Sequence, residues 1–336
     1  MQRRYPICFI ISGKSKMDIS TAYIAIISLT GLIAAISGGF WGIGGGWLIL
    51  PALLLMGVPH EVAVPACLLQ MVPSSAPTVF RQFPGLGWTK DGWGWKVALP
   101  LSGMCFIGGF FGKPAGILLE RAFDSRIPHQ LIYMTLLIYV FFNTLMSGDV
   151  DKNNREAAAG ATGEWRFRPC LTMTSGFFTG MISAVIGIGG GIINRSVMKS
   201  LLKVPEKPVG MIARLSVFVT AFSGSCSYFI GAESCAKDSP AGHALLIGII
   251  LSAGGIIGFP LGSRMHAMVL HAGGESTAHK SFAVLAFLIS ISIICKLTGV
   301  LLTGQIILII SGLCLTAYLI GITYFSWRHV HRRKAS

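Results

Sequence analysis

The sequence GIGGG at Gly42–Gly46 lies inside a long apolar stretch and returns unchanged at Gly187–Gly191. The two copies are 145 residues apart, and the Val-Pro pair that follows each copy recurs at an offset of 146. A third landmark, GGFFGKPAG at Gly108–Gly116, corresponds to GGIIGFPLG at Gly254–Gly262, again at an offset of 146. Three landmarks in one order indicate that the chain is an internal duplication with one inserted residue.

The composition is that of an integral membrane protein. Of the 336 residues, 53% are hydrophobic and 12% are charged, and several apolar stretches reach the roughly 20 residues that a helix needs to cross a bilayer. The 13 acidic residues fall at segment edges or in loops, so no carboxylate is expected at mid-membrane. The net charge of +14 is dispersed between apolar segments and at the chain ends, which indicates membrane topology rather than nucleic-acid binding.

The apolar segments predict an all-α integral membrane protein with two internal repeats and roughly 8–10 transmembrane segments. We divide the chain into a cytoplasmic N-terminal segment 1–18, a first transmembrane repeat 19–147, a polar linker 148–167, a second transmembrane repeat 168–300, an extra C-terminal transmembrane helix 301–328 and a basic tail 329–336. The segment after each GIGGG is about twelve residues long, too short to cross. We therefore predict a half-helix in each repeat, beginning at a broken or re-entrant backbone.

The orientation of the chain is left open by two arguments that disagree. Basic residues before the first span and after the last predict that both termini are cytoplasmic. These residues are Arg3, Arg4, Lys14 and Lys16 at one end and Arg328, Arg332, Arg333 and Lys334 at the other. A count of about nine spans is odd and predicts termini on opposite sides. The same uncertainty leaves parallel and inverted repeats both open.

The glycine motifs are candidate anion sites. Glycine tolerates positive backbone φ, and a helix that begins there presents free N–H groups and the positive end of its dipole. The predicted substrate-binding glycines are Gly44, Gly45 and Gly46 in the first repeat and Gly189, Gly190 and Gly191 in the second. The alternative is that the spacing of Gly38, Gly42 and Gly46 only allows helices to pack closely.

Polar residues at helical spacing follow each glycine motif. They are Gln70, Ser74 and Thr78 in the first repeat and Ser216, Thr220 and Ser223 in the second. Residues four apart share one face of a helix, and hydroxyl and amide groups can hold the oxygens of an anion. We predict that Gln70, Ser74, Ser216 and Thr220 bind substrate. The alternative is interhelical hydrogen bonding, which is common for Ser and Thr in membranes.

Basic residues inside apolar segments are a further group of candidates, because a cation at membrane depth is costly and commonly functional or paired. Arg195 follows the second GIGGG by about one turn, next to Asn194, and a guanidinium can give an anion two parallel donors. We predict that both residues bind substrate; the alternative for Arg195 is snorkelling to the headgroups. Arg214 is a weaker candidate, since it lies about 200° around the helix from Ser216. Lys113 is also weaker, because it could instead gate, pair or snorkel.

The stretch GIGGGWLILP at Gly42–Pro51, followed by Val-Pro, a polar third segment and FRQFPGLGW, resembles the TauE/SafE family of membrane proteins. The similarity extends from about Gly31 to about Trp327. The resemblance implies export of sulfite or small organosulfonates across the bacterial cytoplasmic membrane. The second half departs from the pattern, with IINRSVMK after its glycines and Ser196 at the position of Pro51. This departure concerns the substrate rather than the class, and the added arginine favours an anion.

We therefore hypothesise a secondary transporter that exports a small sulfur-containing anion, such as sulfite or an organosulfonate, by alternating access between two repeats. It is expected to be a multi-pass protein of the bacterial inner membrane whose partners are the anionic substrate and the lipid bilayer. No nucleic acid, metal or cofactor is expected, and a homo-oligomer stays open.

Three other classes remain as alternatives. A cation channel or carrier would use the carbonyls of the broken helices as ligands. An intramembrane enzyme is disfavoured, because the chain has no GxSG, no HExxH and no paired carboxylates at depth, and its eight histidines are scattered. The eight cysteines lie singly without CxxC spacing, which disfavours a metal or redox site. A purely structural membrane protein has no evident need for two glycine breaks next to polar residues. The sequence predicts that the protein is not an enzyme.

Overall fold

The computed structural model describes residues 21–89, 92–124, 128–142, 168–202, 204, 206–230, 239–271, 275–298 and 300–335. This part of the chain is helical and contains no strand. The helices of the first half are α1 (Thr21–Trp41), α2 (Gly46–Leu55), α3 (His60–Gln82), α4 (Leu99–Phe110), α5 (Gly112–Phe123) and α6 (Pro128–Phe142). Those of the second half are α7 (Pro169–Ile186), α8 (Gly191–Ser200), α9 (Glu206–Phe229), α10 (Pro240–His271), α11 (Glu275–Leu297) and α12 (Leu301–Ala335). The predicted segments 1–18 and 148–167 lie outside the described residues.

Six of the described helices are long and apolar enough to cross a membrane, namely α1, α3, α7, α9, α10 and α12. The helical segment Gly94–Phe110, which includes α4, and helix α5 together qualify by length and composition as a seventh span, bent by 46°. Helices α6 and α11 contain shorter apolar stretches, and adding them reaches the predicted range. The predicted class, an all-α integral membrane protein, is confirmed.

Helices α2 and α8 are the predicted half-helices, each ten residues long. The chain reverses before each of them at glycines with positive φ, which are Gly42 (70°) and Gly44 (84°) in the first half and Gly187 (72°), Gly189 (81°) and Gly190 (81°) in the second. L-residues rarely adopt this conformation. All ten residues of α2 are buried, so the irregular backbone is enclosed by protein, as a membrane requires.

The two halves are interlocked by close packing of parallel helices. Helix α1 runs parallel to α10, because Gly31 packs against Leu251 and Gly39, two turns later, packs against Phe259. Helix α7 runs parallel to α4 in the same way. In both pairs the glycines leave no room for a Cβ, since one would clash with a backbone carbonyl of the neighbouring helix. The first helix of each half therefore packs against the fourth segment of the other half.

The repeats are inverted, which the sequence left open. Helices α3 and α9 are equivalent in the duplication, yet they run antiparallel: Leu68 lies against Gly224, whereas Arg214 reaches Gln82. Helix α3 is parallel to α10, since Leu69 packs on Gly248 and Ser74 on Gly255. Equivalent helices thus cross in opposite directions, as in transporters whose halves are related by an axis in the membrane plane.

We call the end of the bundle where α1, α3 and α10 begin the near end, and the opposite one the far end. Gln305 Nε2 donates to the carbonyl of Leu55, the last residue of α2, over 2.8 Å. Helix α12 therefore begins at the near end and finishes at the far end, opposite the start of α1. This arrangement agrees with the odd span count and not with the argument from charge, which placed both termini on one side.

Candidate functional site

The two glycine breaks lie against each other at the centre of the bundle. A Cβ at Gly46 would clash with the Gly187 carbonyl, and one at Gly191 would lie 2.6 Å from Cα of Ile43. Met71 of α3 and Val217 of α9, which are equivalent positions, pack on these glycines. The N-terminal ends of α2 and α8 are thereby brought together, and only glycine fits between them.

Three polar atoms converge on one position in front of Gly190. A Cβ at Gly190 would lie 3.2 Å from Oγ1 of Thr220, 3.5 Å from Nδ2 of Asn194 and 3.5 Å from Oγ of Ser183. The three side chains come from α9, α8 and α7 and are fully buried. The hydroxyl oxygen of Ser183 has no hydrogen-bond partner within the described structure, and that of Thr220 has only the Cys105 thiol close to it. Buried polar atoms without partners are uncommon and call for an explanation.

Asn194 is held in place by two neighbours. Thr179 Oγ1 donates to Asn194 Oδ1 over 2.6 Å, and Asn194 Nδ2 approaches Cys105 Sγ at 3.3 Å. These contacts orient the amide so that its Nδ2 faces the position in front of Gly190. We call Thr179, Ser183, Asn194 and Thr220, together with Gly190, the Gly190 cluster.

Sequence reasoning missed Thr179 and Ser183. Both lie on α7, the helix before the second GIGGG, where no polar pattern was sought. A signal was present in the duplication itself. The residues equivalent to Thr179, Ser183 and Asn194 are Ala34, Gly38 and Ile49, so a comparison of the halves shows three polar side chains in one and none in the other.

The corresponding position in the first half is apolar. A Cβ at Gly45 would meet the Ala34 carbonyl at 3.2 Å and Ile49 Cδ1 at 3.4 Å. Gln70 and Ser74 face α10 at Gly255, and Gln70 Nε2 donates to Ser74 Oγ over 2.9 Å. They do not join the Gly190 cluster.

Ser216 also lies apart from the cluster. Its hydroxyl donates to the Ala213 carbonyl of its own helix over 2.8 Å. Of the four polar residues predicted on α3 and α9, the structure brings only Thr220 to Gly190.

Two arginines from the second half reach the C-terminal end of α1. Arg195 Nη1 donates to the Trp41 carbonyl. Arg214, which is buried, donates to the Gly39 carbonyl over 3.5 Å and to Gln82 Oε1 over 3.4 Å. The last carbonyls of a helix bear partial negative charge and are stabilised by cations. In this conformation the guanidinium of Arg195 ties the halves together, and its substrate contact stays a prediction.

A cavity of about 530 Å³ opens at the near end between α3, α5, α6, α9 and α10. We call it the vestibule. Its ionisable lining residues are His60, Glu61, Lys113, Glu120, His129 and Tyr228. Val64 also lines it and packs directly against Gly187, so one side chain separates the vestibule from the second glycine break. Within the described residues no group of three His, Cys, Asp or Glu side chains is placed to hold a metal ion.

The sulfite exporter TauE/SafE family model matches residues 27–293. The chain belongs to the sulfite exporter TauE/SafE family. It is similar to a probable membrane transporter protein of Methanocaldococcus jannaschii, with 26% identity over 60% of this chain and 71% of the relative. It is also similar to the probable membrane transporter protein YunE of Bacillus subtilis, with 23% identity over 61% and 78%. A probable membrane transporter protein of Haemophilus influenzae is 26% identical over 74% and 87%. No solved structure matches the chain.

This TauE/SafE protein is accordingly a multi-pass membrane transporter and not an enzyme, as its sequence predicts. Family membership also gives the glycine breaks a functional context. In transporters built from inverted repeats, discontinuous helices form the substrate site near the bilayer midplane.

Proposed function

We propose that the protein exports a small oxyanion, with sulfite or an organosulfonate as the leading class, across the bacterial inner membrane by alternating access between its inverted repeats. The supporting observation is the convergence of Ser183 Oγ, Thr220 Oγ1 and Asn194 Nδ2 on one position in front of Gly190. Export as the direction and sulfite as a substrate follow from the family description alone.

The chemistry of the Gly190 cluster suits an anion. The position lies at the N-terminal end of α8, where the first N–H groups of a helix have no partner within it and the dipole is positive. Two hydroxyls and one amide N–H₂ can each donate to an oxygen of a sulfonate or sulfite. Such neutral donors bind an anion without burying an opposite charge, whose desolvation costs several kcal/mol.

Alternating access is supported by the asymmetry between the two ends of the bundle. The near end has the vestibule, whose lining residue Val64 packs on Gly187. Toward the far end, Arg195 and Arg214 join the second half to the last turn of α1. We infer a conformation open at the near end, from which transport proceeds by rearrangement of the contacts at the far end.

The distribution of basic residues supports a cytoplasmic far end, by the positive-inside rule. Among the described residues, the far end includes Arg81, Lys96, Arg168, Lys199, Arg264 and the end of α12 with Arg328, Arg332, Arg333 and Lys334, whereas the near end has Lys113, Arg121 and Lys296. A green fluorescent protein fused after residue 336 should therefore fluoresce. The matched fusion after residue 299, between α11 and α12, should stay dark, and the reverse result would contradict this orientation.

The proposed substrate class is tested by thermal unfolding of the detergent-purified protein with sulfite, sulfate, thiosulfate, sulfoacetate, taurine and simple carboxylates. A ligand that binds only the folded state raises the melting temperature by mass action. We expect a selective increase with one sulfur anion. An increase with a metal cation and none with any anion would favour instead a cation carrier that uses broken-helix carbonyls.

Variants place the binding at the cluster. Ser183→Ala and Thr220→Val should each weaken the affinity for the selected anion by about tenfold, since a hydrogen bond to a charged group contributes roughly 1.5–3 kcal/mol. Ser37→Ala is the matched control, because Ser37 is buried in the equivalent helix α1 and its hydroxyl donates to the Ala34 carbonyl over 2.8 Å. The control should bind as the unaltered protein does.

A further inference from the structure

The vestibule contains a pair of histidines in contact. His60 begins α3 and His129 lies in the first turn of α6, and their ring centroids are 4.9 Å apart at an interplanar angle of 61°. Both side chains are buried, with exposures of 8% and 3%. Histidine is the side chain whose ordinary pKa, about 6.5, allows it to gain a proton near neutral pH. Two imidazolium rings at this separation repel each other unless an anion lies close by.

Space for a ligand atom exists beside this pair. Gly116 of α5 faces His129 Nε2 and the hydroxyl of Tyr228, and a Cβ placed there would lie 3.4 Å and 3.9 Å from them. Lys113, one turn earlier on α5, donates to the Tyr228 carbonyl over 3.2 Å and lines the same cavity. An imidazole, a phenol and an ammonium group are thus gathered around one opening.

The charge of the vestibule depends on the histidines. Among the described residues, the other ionisable groups that line it are Glu61 of α3, Lys113 and Glu120 of α5, and Tyr228 of α9. Two glutamates against one lysine leave a net negative charge while both histidines are neutral. The charge becomes positive when both are protonated, so the vestibule attracts anions only in its protonated form.

Side chains at or beside the vestibule contact both glycine breaks. Val64 lines it and packs on Gly187 of the second break. On the other side, Tyr133 lies one turn after His129 in α6, and its hydroxyl donates to the carbonyl of Trp47 in the first turn of α2. Each histidine therefore lies one helical turn from a residue that contacts a glycine break or the half-helix that follows it.

We propose that the vestibule is a proton-linked anion-binding site on the exit path, in which the protonated His60–His129 pair and Lys113 hold the sulfonate or oxyanion at the near end after it has left the Gly190 cluster. This inference rests on the proposed function, because it takes the substrate to be an anion. Linkage is reciprocal: protonation tightens anion binding, and a bound anion makes the histidines hold their protons more tightly.

The test uses methanesulfonate, an anion whose own charge is constant between pH 5.5 and 8, with the full-length protein in nanodiscs. Above the pH range in which histidine ordinarily loses its proton, we expect the affinity of the protein for methanesulfonate to weaken with pH. The loss should be about tenfold per pH unit for each proton taken up on binding. When methanesulfonate is added near pH 6.5 to a weakly buffered sample, the protein should also take up protons, and the pH of the sample should rise. If a variant fails to fold, the pH dependence of binding and the proton uptake of the unaltered protein still test the inference.

Variants identify the residues that take up the protons and the residue that supplies a constant positive charge. His60→Gln with His129→Gln should abolish proton uptake and flatten the pH dependence, whereas His243→Gln, on α10 outside the vestibule lining, should change neither. Lys113→Gln should weaken methanesulfonate binding at every pH and leave the pH dependence of the affinity unchanged. Equal affinity at pH 5.5 and 8 would overturn this inference while leaving the anion site standing. Absence of binding of every anion at every pH would overturn the proposed function as well.

Discussion

The first and second glycine breaks share one backbone design and differ in their side chains. Each has the sequence GIGGG, glycines with positive φ and a half-helix of ten residues. Around Gly45 the neighbours are Ala34 and Ile49, and the half-helix that follows is apolar and wholly buried. Around Gly190 they are Ser183, Asn194 and Thr220. The duplication thus retains the broken helix twice and places polar donors at one copy only.

This difference shows that the broken-helix backbone of the repeat does not require the polar side chains that could bind an anion. A broken helix whose glycines allow close approach is needed in both halves, because Gly46 and Gly191 each pack into the opposite break. Donors are needed only where an anion is held. We therefore interpret the first break as the structural counterpart on which the second, functional break is supported.

The largest effect should come from filling the second break. Gly190→Ala should lower transport by about 100-fold, equivalent to roughly 3 kcal/mol, because its Cβ would occupy the position on which the three polar atoms converge. The substitution is also strained at φ 81°. Gly45→Ala is the matched change at φ −83° and should lower transport by less than about tenfold. Initial rates in proteoliposomes measure both, and equal losses would remove the distinction between the breaks.

An exchange of residues between the halves should have an intermediate effect. Asn194→Ile gives the second break the residue of the first and should weaken anion binding by about tenfold, since one charged hydrogen bond is lost. Ile49→Asn should create no second site and should destabilise the protein by about 1–3 kcal/mol, because it buries an amide among apolar neighbours. Titration calorimetry and thermal unfolding separate the two results. Tighter binding in Ile49→Asn would show that the first break can also serve as a site.

The smallest effect should come from Arg195. Arg195→Gln removes the cation next to the Trp41 carbonyl at the end of α1, where a charge contributes about 0.3–1 kcal/mol. We expect a small drop in melting temperature and an anion affinity within about threefold of the unaltered protein. Lys199→Gln in the same half-helix is the control. A tenfold loss of affinity would restore the predicted substrate contact.

Much of the fold was predictable, because it depends on local and repeated signals. The length of the apolar segments gave the spans, and the glycine motifs gave the beginnings of α2 and α8 within one residue. The direction of the repeats was not predictable by counting, since the bent pair α4 and α5 reads as one span and the half-helices reverse the chain without crossing fully. Close contacts between α3 and α9 were needed to decide it.

The candidate site was predictable in part. Gly190, Asn194 and Thr220 were named from the motif and from helical spacing, and the structure brings them together. Gln70 and Ser74 were named by the same spacing, yet they face α10 at Gly255. Spacing tells which residues share a face of a helix but not which neighbour that face meets. Ser183 and Thr179 were missed because they belong to α7, which approaches Gly190 only in the folded chain.

The sequence by itself determined the membrane class, the duplication, the positions of the two broken helices and the family. These properties follow from hydropathy, from repetition and from the conformational freedom of glycine, all of which are local along the chain. The tertiary structure decided that the repeats are inverted and that the two breaks meet. It also decided that the donors gather at Gly190 and that the histidines of α3 and α6 share one vestibule. These depend on contacts between helices far apart in sequence, which packing alone brings together.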